Sequence, residues 1–167
     1  TFINDNESHL VKFGADIYLD DNNTLSFYTT QNWFDNNANG RVKITDNSGV
    51  ITNISPNSQL SNSKDQTYNV NYKHDFDKKG HNIEFEATYS ENETPQDLFN
   101  SDLVRPNDGS LNYFNDIFND RSTTLVNLDY TNPVSENGKL ELGLEYRANN
   151  TENTNITNQT GFNNSSF

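Results

Sequence analysis

Residues 125–147, LVNLDYTNPVSENGKLELGLEYR, alternate apolar and polar side chains on both sides of a short turn. Before the turn, Val126, Leu128 and Tyr130 occupy every second position. After it, the same spacing returns in Leu140, Leu142, Leu144 and Tyr146. Successive side chains of a β-strand point to opposite faces, so this period of two predicts an antiparallel hairpin with one apolar face. A helix would scatter the same residues around its circumference.

Two further segment pairs show the same alternation. The predicted hairpins cover about residues 10–34, 66–91 and 122–148. Short turns join the strands within each hairpin, whereas long polar stretches, at about 36–64 and 91–121, join one hairpin to the next. The predicted fold class is therefore all-β, an antiparallel up-and-down meander of about six long strands. Short turns on one side and long loops on the other are typical of a transmembrane β-barrel wall.

The alternation divides the side chains between two predicted faces. The lipid-facing set is Leu140, Leu142, Leu144, Tyr146, Val126, Leu128, Tyr130, Ile83 and Phe85. The lumen-facing set is Glu84, Glu86, Asp129, Glu141, Glu145 and Arg147. Each segment supports about ten strand residues, which is what a tilted strand needs to cross the hydrocarbon layer. Six strands are too few to close a barrel, so we expect residues 1–167 to be part of a large transmembrane barrel.

Composition limits the possible partners. Only 31% of the residues are hydrophobic, which is little for a soluble core, so we expect the lipid bilayer to cover the apolar face. The formal net charge of −13 argues against nucleic acid as a partner, because phosphate neutralisation needs clustered Lys and Arg. The chain has no Cys and therefore no disulfide framework.

Residues 125–147 also resemble the barrel segment of TonB-dependent receptors, of the outer membrane protein β-barrel type found in Bacteroidetes. In that family a strand ending in Asp-Tyr meets a Pro turn, and a Lys-Leu-Glu-x-Gly-Leu strand follows. Residues 72–80 (YKHDFDKKG) and 13–22 (FGADIYLDDN) resemble strand ends of the same family. The resemblance covers about residues 13–150.

The resemblance implies a location in the outer membrane of a Gram-negative bacterium and a barrel of about 22 strands around a plug domain. It implies uptake of a scarce nutrient such as a glycan, a peptide or a metal chelate. Its implied partners are the remaining barrel strands, the plug domain, the TonB energy-coupling complex and a surface lipoprotein. The sequence contains no recognisable plug or coupling motif, so transport would need other parts of a longer protein.

Two polar patterns have competing interpretations. Asp35, Asn37, Asn39 and Asp46 fall at ligand positions of a calcium-loop pattern, with Gly40 at its turn position. Asp stands where that loop normally has Glu, and a polar loop with a Gly turn explains the same residues. We therefore expect no metal and no cofactor.

The carboxylate pairs Glu84/Glu86 and Glu141/Glu145 fit acid–base chemistry only with a pocket and a defined separation. A water-filled lumen face explains them better, and no nucleophile or phosphate motif accompanies them. We expect no enzymatic activity. The stretch 98–118 is richer in aromatic side chains, which suit either a polar ligand such as a sugar or packing within a loop. Its aromatic residues are Phe99, Tyr113, Phe114 and Phe118.

The alternative hypothesis is a soluble, secreted β-sandwich that binds carbohydrate or a cell surface. It would also show period two, acidic charge and polar loops. It predicts turns whose lengths do not alternate and strands of about five or six residues. The longer segments of this chain favour the barrel.

Overall fold

The computed structural model describes residues 1–101, 112–158 and 165–166, and these form one antiparallel sheet. Six long strands and a two-residue seventh lie side by side in chain order. Their bounds are β1 Phe2–Asp20, β2 Asn23–Thr45, β3 Ile51–Asp75, β4 Asn82–Asn100, β5 Tyr113–Ser135, β6 Gly138–Thr157 and β7 Ser165–Ser166. The predicted all-β meander is confirmed. No helix in the described part of the chain is long and apolar enough to cross a membrane.

The alternative β-sandwich is wrong. Every described strand belongs to the same sheet, in the order β1 to β7. A sandwich needs two sheets that face each other across a shared apolar core. Among the described residues no apolar side chain is buried.

The strands are about twice as long as predicted. They contain 19 to 25 residues, so β3 alone extends over about 80 Å. β2 and β3 run through most of the stretch predicted as a loop at 36–64, and only residues 46–50 connect them. β4 and β5 likewise extend into the predicted loop 91–121, of which residues 102–111 lie outside the described part. The predicted loop bounds are therefore wrong.

The reason is that a β-ladder is held by backbone hydrogen bonds and needs no apolar side chains. β2 and β3 stay in register across this polar stretch, from Asn36 opposite Ser61 to Ile44 opposite Asn53. Amide side chains also bridge strands, since Asn36 Nδ2 donates to the Oδ1 atoms of Asn4 and Asn6. Because both faces are mostly polar there, the sustained apolar alternation that marks a strand in sequence is absent.

The tight connections depend on specific side chains. Between β2 and β3, Asp46 Oδ1 accepts the backbone N–H groups of Ser48 and Val50, both at 2.9 Å, and Gly49 takes a φ of +83°. Such Asx turns with a Gly at positive φ are a common way to reverse the chain. The Ser48 side chain first, and then the Val50 N–H, lower the pKa of Asp46.

Burial is inverted relative to a soluble sheet. Asn69 is 1% exposed, whereas its neighbour Val70 is 39% exposed. The buried residues among the described ones are Ser61, Asn69 and Ser101, all polar. The polar face, which holds Ser61 and Asn69, is therefore the more enclosed of the two faces.

Candidate membrane band and lumen surface

The strand register assembles the alternating apolar residues into continuous rows across the sheet. One row contains Ala15, Phe27, Val70, Ala87, Val126 and Tyr146. The next contains Ile17, Leu25, Tyr72, Phe85, Leu128 and Leu144. We call these two rows, with the flanking rows through Tyr68, through His74 and through Leu140, the apolar band.

The band has the height of a bilayer-crossing surface. On β6 it runs from Leu140 to Ala148, about 27 Å along the strand. A strand tilt of about 40° reduces this to roughly 20 Å, close to the apolar belt of about 25 Å on outer-membrane barrels. The band lies at the end of the sheet that carries the connections 21–22, 76–81 and 136–137.

The predicted face assignments correspond to the two faces of the sheet. All nine residues predicted to face lipid lie on the band side. All six predicted to face the lumen lie on the opposite side, which we call the lumen face. Contact of the band with lipid stays a prediction.

Hydrogen bonds connect the lumen face behind the band. Asn69 Nδ2 donates to Glu86 Oε1 at 2.6 Å and to Thr88 Oγ1 at 2.7 Å. Asn71 Nδ2 donates to Glu84 Oε1 at 2.6 Å. Two of the predicted lumen carboxylates therefore act as acceptors for strand β3. These hydrogen bonds link β3 to β4.

Ion pairs on this face link residues two apart on one strand. Arg147 Nη2 lies 3.3 Å from Glu145 Oε1, and Lys139 Nζ lies 2.7 Å from Glu141 Oε1. All four side chains are more than half exposed, so each pair adds little stability. Their arrangement fits a water-filled interior.

Charge on the lumen face changes along the strands. Behind the band and in the row at each of its borders, seven carboxylates accompany four cationic groups: Asp16, Asp75, Glu84, Glu86, Asp129, Glu141 and Glu145 against Lys12, Lys73, Lys139 and Arg147. Far from the short turns, the four rows that begin at Ser8, Asn6, Asn4 and Phe2 carry no Asp, Glu, Lys or Arg among the described residues. We call these four rows the neutral upper face.

The outer side of the same strand segments is acidic. Behind the neutral upper face, the residues pointing the other way include Asp5, Glu7, Asp35, Asp97 and Asp116. The two faces thus differ sharply in charge although they share the same backbone. The absence of charge from the upper lumen face is therefore a property of that face and not of the whole segment.

Aromatic and imidazole side chains border the band at its short-turn end. Asn23 Oδ1 accepts the Tyr72 hydroxyl at 2.6 Å and lies 2.8 Å from His74 Nδ1. His81 stacks on Phe76 with ring centroids 4.0 Å apart, and its Nε2 lies 3.0 Å from the Tyr130 hydroxyl. Rings that are half apolar and half polar favour a membrane–water interface.

The hypothetical calcium loop is wrong. Asp35, Asn37 and Asn39 lie in extended strand β2, and Asp46 lies in the turn after it. Asp35 and Thr45, the residue before Asp46, are roughly 33 Å apart along the strand. Asp35 and Asp46 are therefore too far apart to share one ion. No three His, Asp or Glu side chains in the described ranges gather as metal ligands would.

The aromatic stretch 98–118 does not form one loop cluster. Phe99 and Phe114 pair across β4 and β5 on the outer side, whereas Tyr113, opposite Asn100, faces the lumen side. Phe118 lies opposite Pro95, also on the outer side. Residues 102–111 of this predicted loop are outside the described residues.

Sequence reasoning missed a pocket on the neutral upper face. It has a volume of about 250 Å³ and is lined by Phe2, Ala38, Asn57, Ser58, Gln59, Leu98 and Asn100. Its residues come from four strands, and only the register brings them together. The sequence feature that could have indicated it is the run of uncharged polar residues at every second position, Asn57, Gln59, Ser61 and Ser63. The residues between them are not regularly apolar, so the alternation that marks a strand is missing.

Residues 74–167, more than half of the chain, match the model of a family described as the outer membrane protein beta-barrel family. The matched range begins near the end of β3 and contains β4, β5 and β6, including the hairpin at 125–147. No curated protein matches the chain.

Proposed function

Because the chain belongs to the outer membrane protein beta-barrel family, we propose that it is a wall segment of a TonB-dependent receptor or transporter. Membership places it in the outer membrane of a Gram-negative bacterium, surrounded by the lipid bilayer. The proposed cargo is a scarce nutrient such as a glycan, a peptide or a metal chelate.

One observation carries the proposal: the lumen face continues in register far beyond the apolar band. β2 and β3 are 23 and 25 residues long, while a tilted strand crosses the hydrocarbon layer in about 9–11. The remaining residues therefore extend the wall on the side away from the short turns. A wall of this height would enclose a vestibule in which a ligand is held before it crosses.

The proposal assigns the bilayer-crossing part a mechanical role. The band would face lipid, and the lumen carboxylates Glu84, Glu86 and Asp129 would face water beside a plug domain. The remaining strands and the plug would come from the rest of a longer protein. The TonB energy-coupling complex would drive transport, and a surface lipoprotein is a further proposed partner. We assign no catalytic role to these residues.

Growth and uptake measurements test the proposal. A strain lacking the gene would be grown on single limiting nutrients from the glycan, peptide and metal-chelate classes, with the full-length gene restored as control. We expect one class to support growth only when the gene is present, and this dependence to disappear when the energy-coupling complex is deleted. Uptake that persists without the coupling complex would contradict the receptor assignment and indicate a passive barrel.

A further inference from the structure

We propose that the pocket on the neutral upper face binds one ring of a neutral, polyhydroxylated ligand, that is, a sugar unit of an uncharged glycan. We call it the amide pocket, defined by Phe2, Ala38, Asn57, Ser58, Gln59, Leu98 and Asn100. The inference rests on the proposed function in one respect: a ligand must be able to reach the pocket from outside the cell.

The amides of the pocket are available for a ligand. Asn57, Gln59 and Asn100 are half-buried, and the structure shows no side-chain hydrogen bond from any of them to another described residue. Each amide offers two N–H donors and one carbonyl acceptor. On the same strand Asn69 and Asn71 use their amides to bind carboxylates, so unpaired amides are not general on this face.

A glycine makes room for the aromatic wall. Gly40 lies opposite both Phe2 and Asn57, and a methyl group there would overlap the Phe2 ring and the Asn57 side-chain oxygen. The Phe2 ring therefore lies across β2 beside the Asn57 amide. It is 70% exposed, so its surface is open to a ligand.

These groups match the two kinds of surface on a sugar ring. Hydroxyl groups both donate and accept hydrogen bonds, as primary amides do. The C–H face of the ring is apolar and packs on an aromatic or aliphatic wall, here Phe2 and Leu98. The volume of about 250 Å³ lies just below the roughly 300–1,000 Å³ of typical small-molecule sites. It therefore fits one ring rather than a whole oligomer.

The charge pattern distinguishes among the proposed nutrient classes. A charged ligand group placed against uncharged amides and apolar walls would lose its hydration without gaining a counter-charge. Carboxylate-rich chelates and uronic acid polymers would next encounter the acidic lumen behind the band, where carboxylates outnumber cationic groups seven to four. A neutral glycan meets neither penalty.

Direct binding measurements test this assignment without requiring transport. The full-length protein, purified in detergent, would be titrated calorimetrically with maltohexaose, xylohexaose and mannohexaose. Hexagalacturonate of the same length and hexaalanine would serve as the anionic and peptide probes. We expect at least one neutral hexasaccharide to bind and hexagalacturonate and hexaalanine not to bind.

Substitutions then locate the binding. Asn57→Ala and Gln59→Ala should each weaken binding of that hexasaccharide about five- to tenfold, because each removes hydrogen bonds to it. Gly40→Ala should weaken it by at least about tenfold through displacement of Phe2 and Asn57. Asn39→Ala is the matched control, since it removes an amide one residue from Gly40 but on the outer side. It should change the affinity less than twofold.

Several results would overturn the assignment. The first is that none of the three neutral hexasaccharides binds. The second is that hexagalacturonate or hexaalanine binds instead. The third is that the Asn57→Ala and Asn39→Ala variants bind the hexasaccharide with equal affinity. Thermal unfolding followed by circular dichroism would show that each variant is folded. Because no coupling complex is present, sugar binding without coupled uptake would refute the proposed function and leave the pocket assignment standing.

Discussion

At the scale of single residues, neighbours in sequence occupy opposite environments. Leu144 is 73% exposed and belongs to the band, whereas Glu145 and Gly143 point to the lumen side. In a water-soluble sheet the exposure of Leu140, Leu142 and Leu144 would be unfavourable. The reason is that burial of apolar surface is the main driving force for folding. The outer-membrane location would resolve the conflict, because the predicted contact with lipid would cover the band.

A charge on the band should be destabilising. We expect Leu144→Arg to lower the free energy of unfolding by about 2–4 kcal/mol, because Leu144 lies near the middle of the band and arginine there must enter hydrocarbon. The measurement is denaturant unfolding of the full-length protein in lipid vesicles. Glu145→Arg, one residue away on the lumen face, is the matched control and should change stability by less than about 1 kcal/mol. Equal losses in both variants would count against the face assignment.

The turn at Asp46 should open in acid. The pKa of Asp46 is lowered by the Ser48 side chain and the Val50 N–H, so the carboxylate stabilises the folded turn above the ordinary pKa of about 3.9. This stabilisation is lost as the pH falls through the lowered folded pKa. Amide exchange at Ser48 and Val50, corrected for intrinsic rates, should therefore accelerate below about pH 4. Asp46→Asn keeps an acceptor oxygen and should show no such dependence; an identical profile would contradict the explanation.

At the scale of strands, each hairpin has two different halves. The half near the short turns carries the band, and the far half is mostly polar, with no continuous apolar rows. β2 and β3 remain paired to the end of this polar half. The structure thus makes the connection 46–50 the tip of a long projecting hairpin. The opposite connections, such as 136–137, lie close to the band.

Epitope insertion tests this two-sided arrangement. A short epitope inserted between Asn47 and Ser48 should leave the barrel folded and bind antibody on intact cells. The same epitope between Glu136 and Asn137 should bind antibody only after the outer membrane is permeabilised, because we expect that turn to face the periplasm. Insertion between Ser61 and Asn62 should prevent folding, since it interrupts a paired strand. Labelling of the 136–137 insertion on intact cells would reverse the proposed orientation.

At the scale of the whole molecule, sequence reasoning was accurate where one face is apolar. The alternation of Leu140, Leu142 and Leu144 with Glu141 and Glu145 predicted both the hairpin and its faces, because the bilayer demands such a pattern. Residues 51–64 gave no such signal, since most of their side chains are polar and the backbone ladder tolerates any polar side chain. The strand length was therefore underestimated by about half.

The amide pocket was beyond prediction for a different reason. Phe2, Gly40, Asn57 and Asn100 lie on four strands, and a shift of one residue in any pairing would turn each to the other face. Composition and spacing do not fix that register. The calcium-loop hypothesis failed for the same reason, since a list of ligand types does not distinguish a compact loop from an extended strand.

The central claim is that lipid, rather than protein, covers the apolar band. The direct measurement is a nitroxide scan of residues 139–147 in the full-length protein in vesicles, comparing collision with oxygen and with a water-soluble nickel complex. Labels at 140, 142, 144 and 146 should meet oxygen preferentially, and labels at 139, 141, 143, 145 and 147 the nickel complex. Labels at 140, 142, 144 and 146 that meet neither reagent would show that protein packs over the band and would contradict the account.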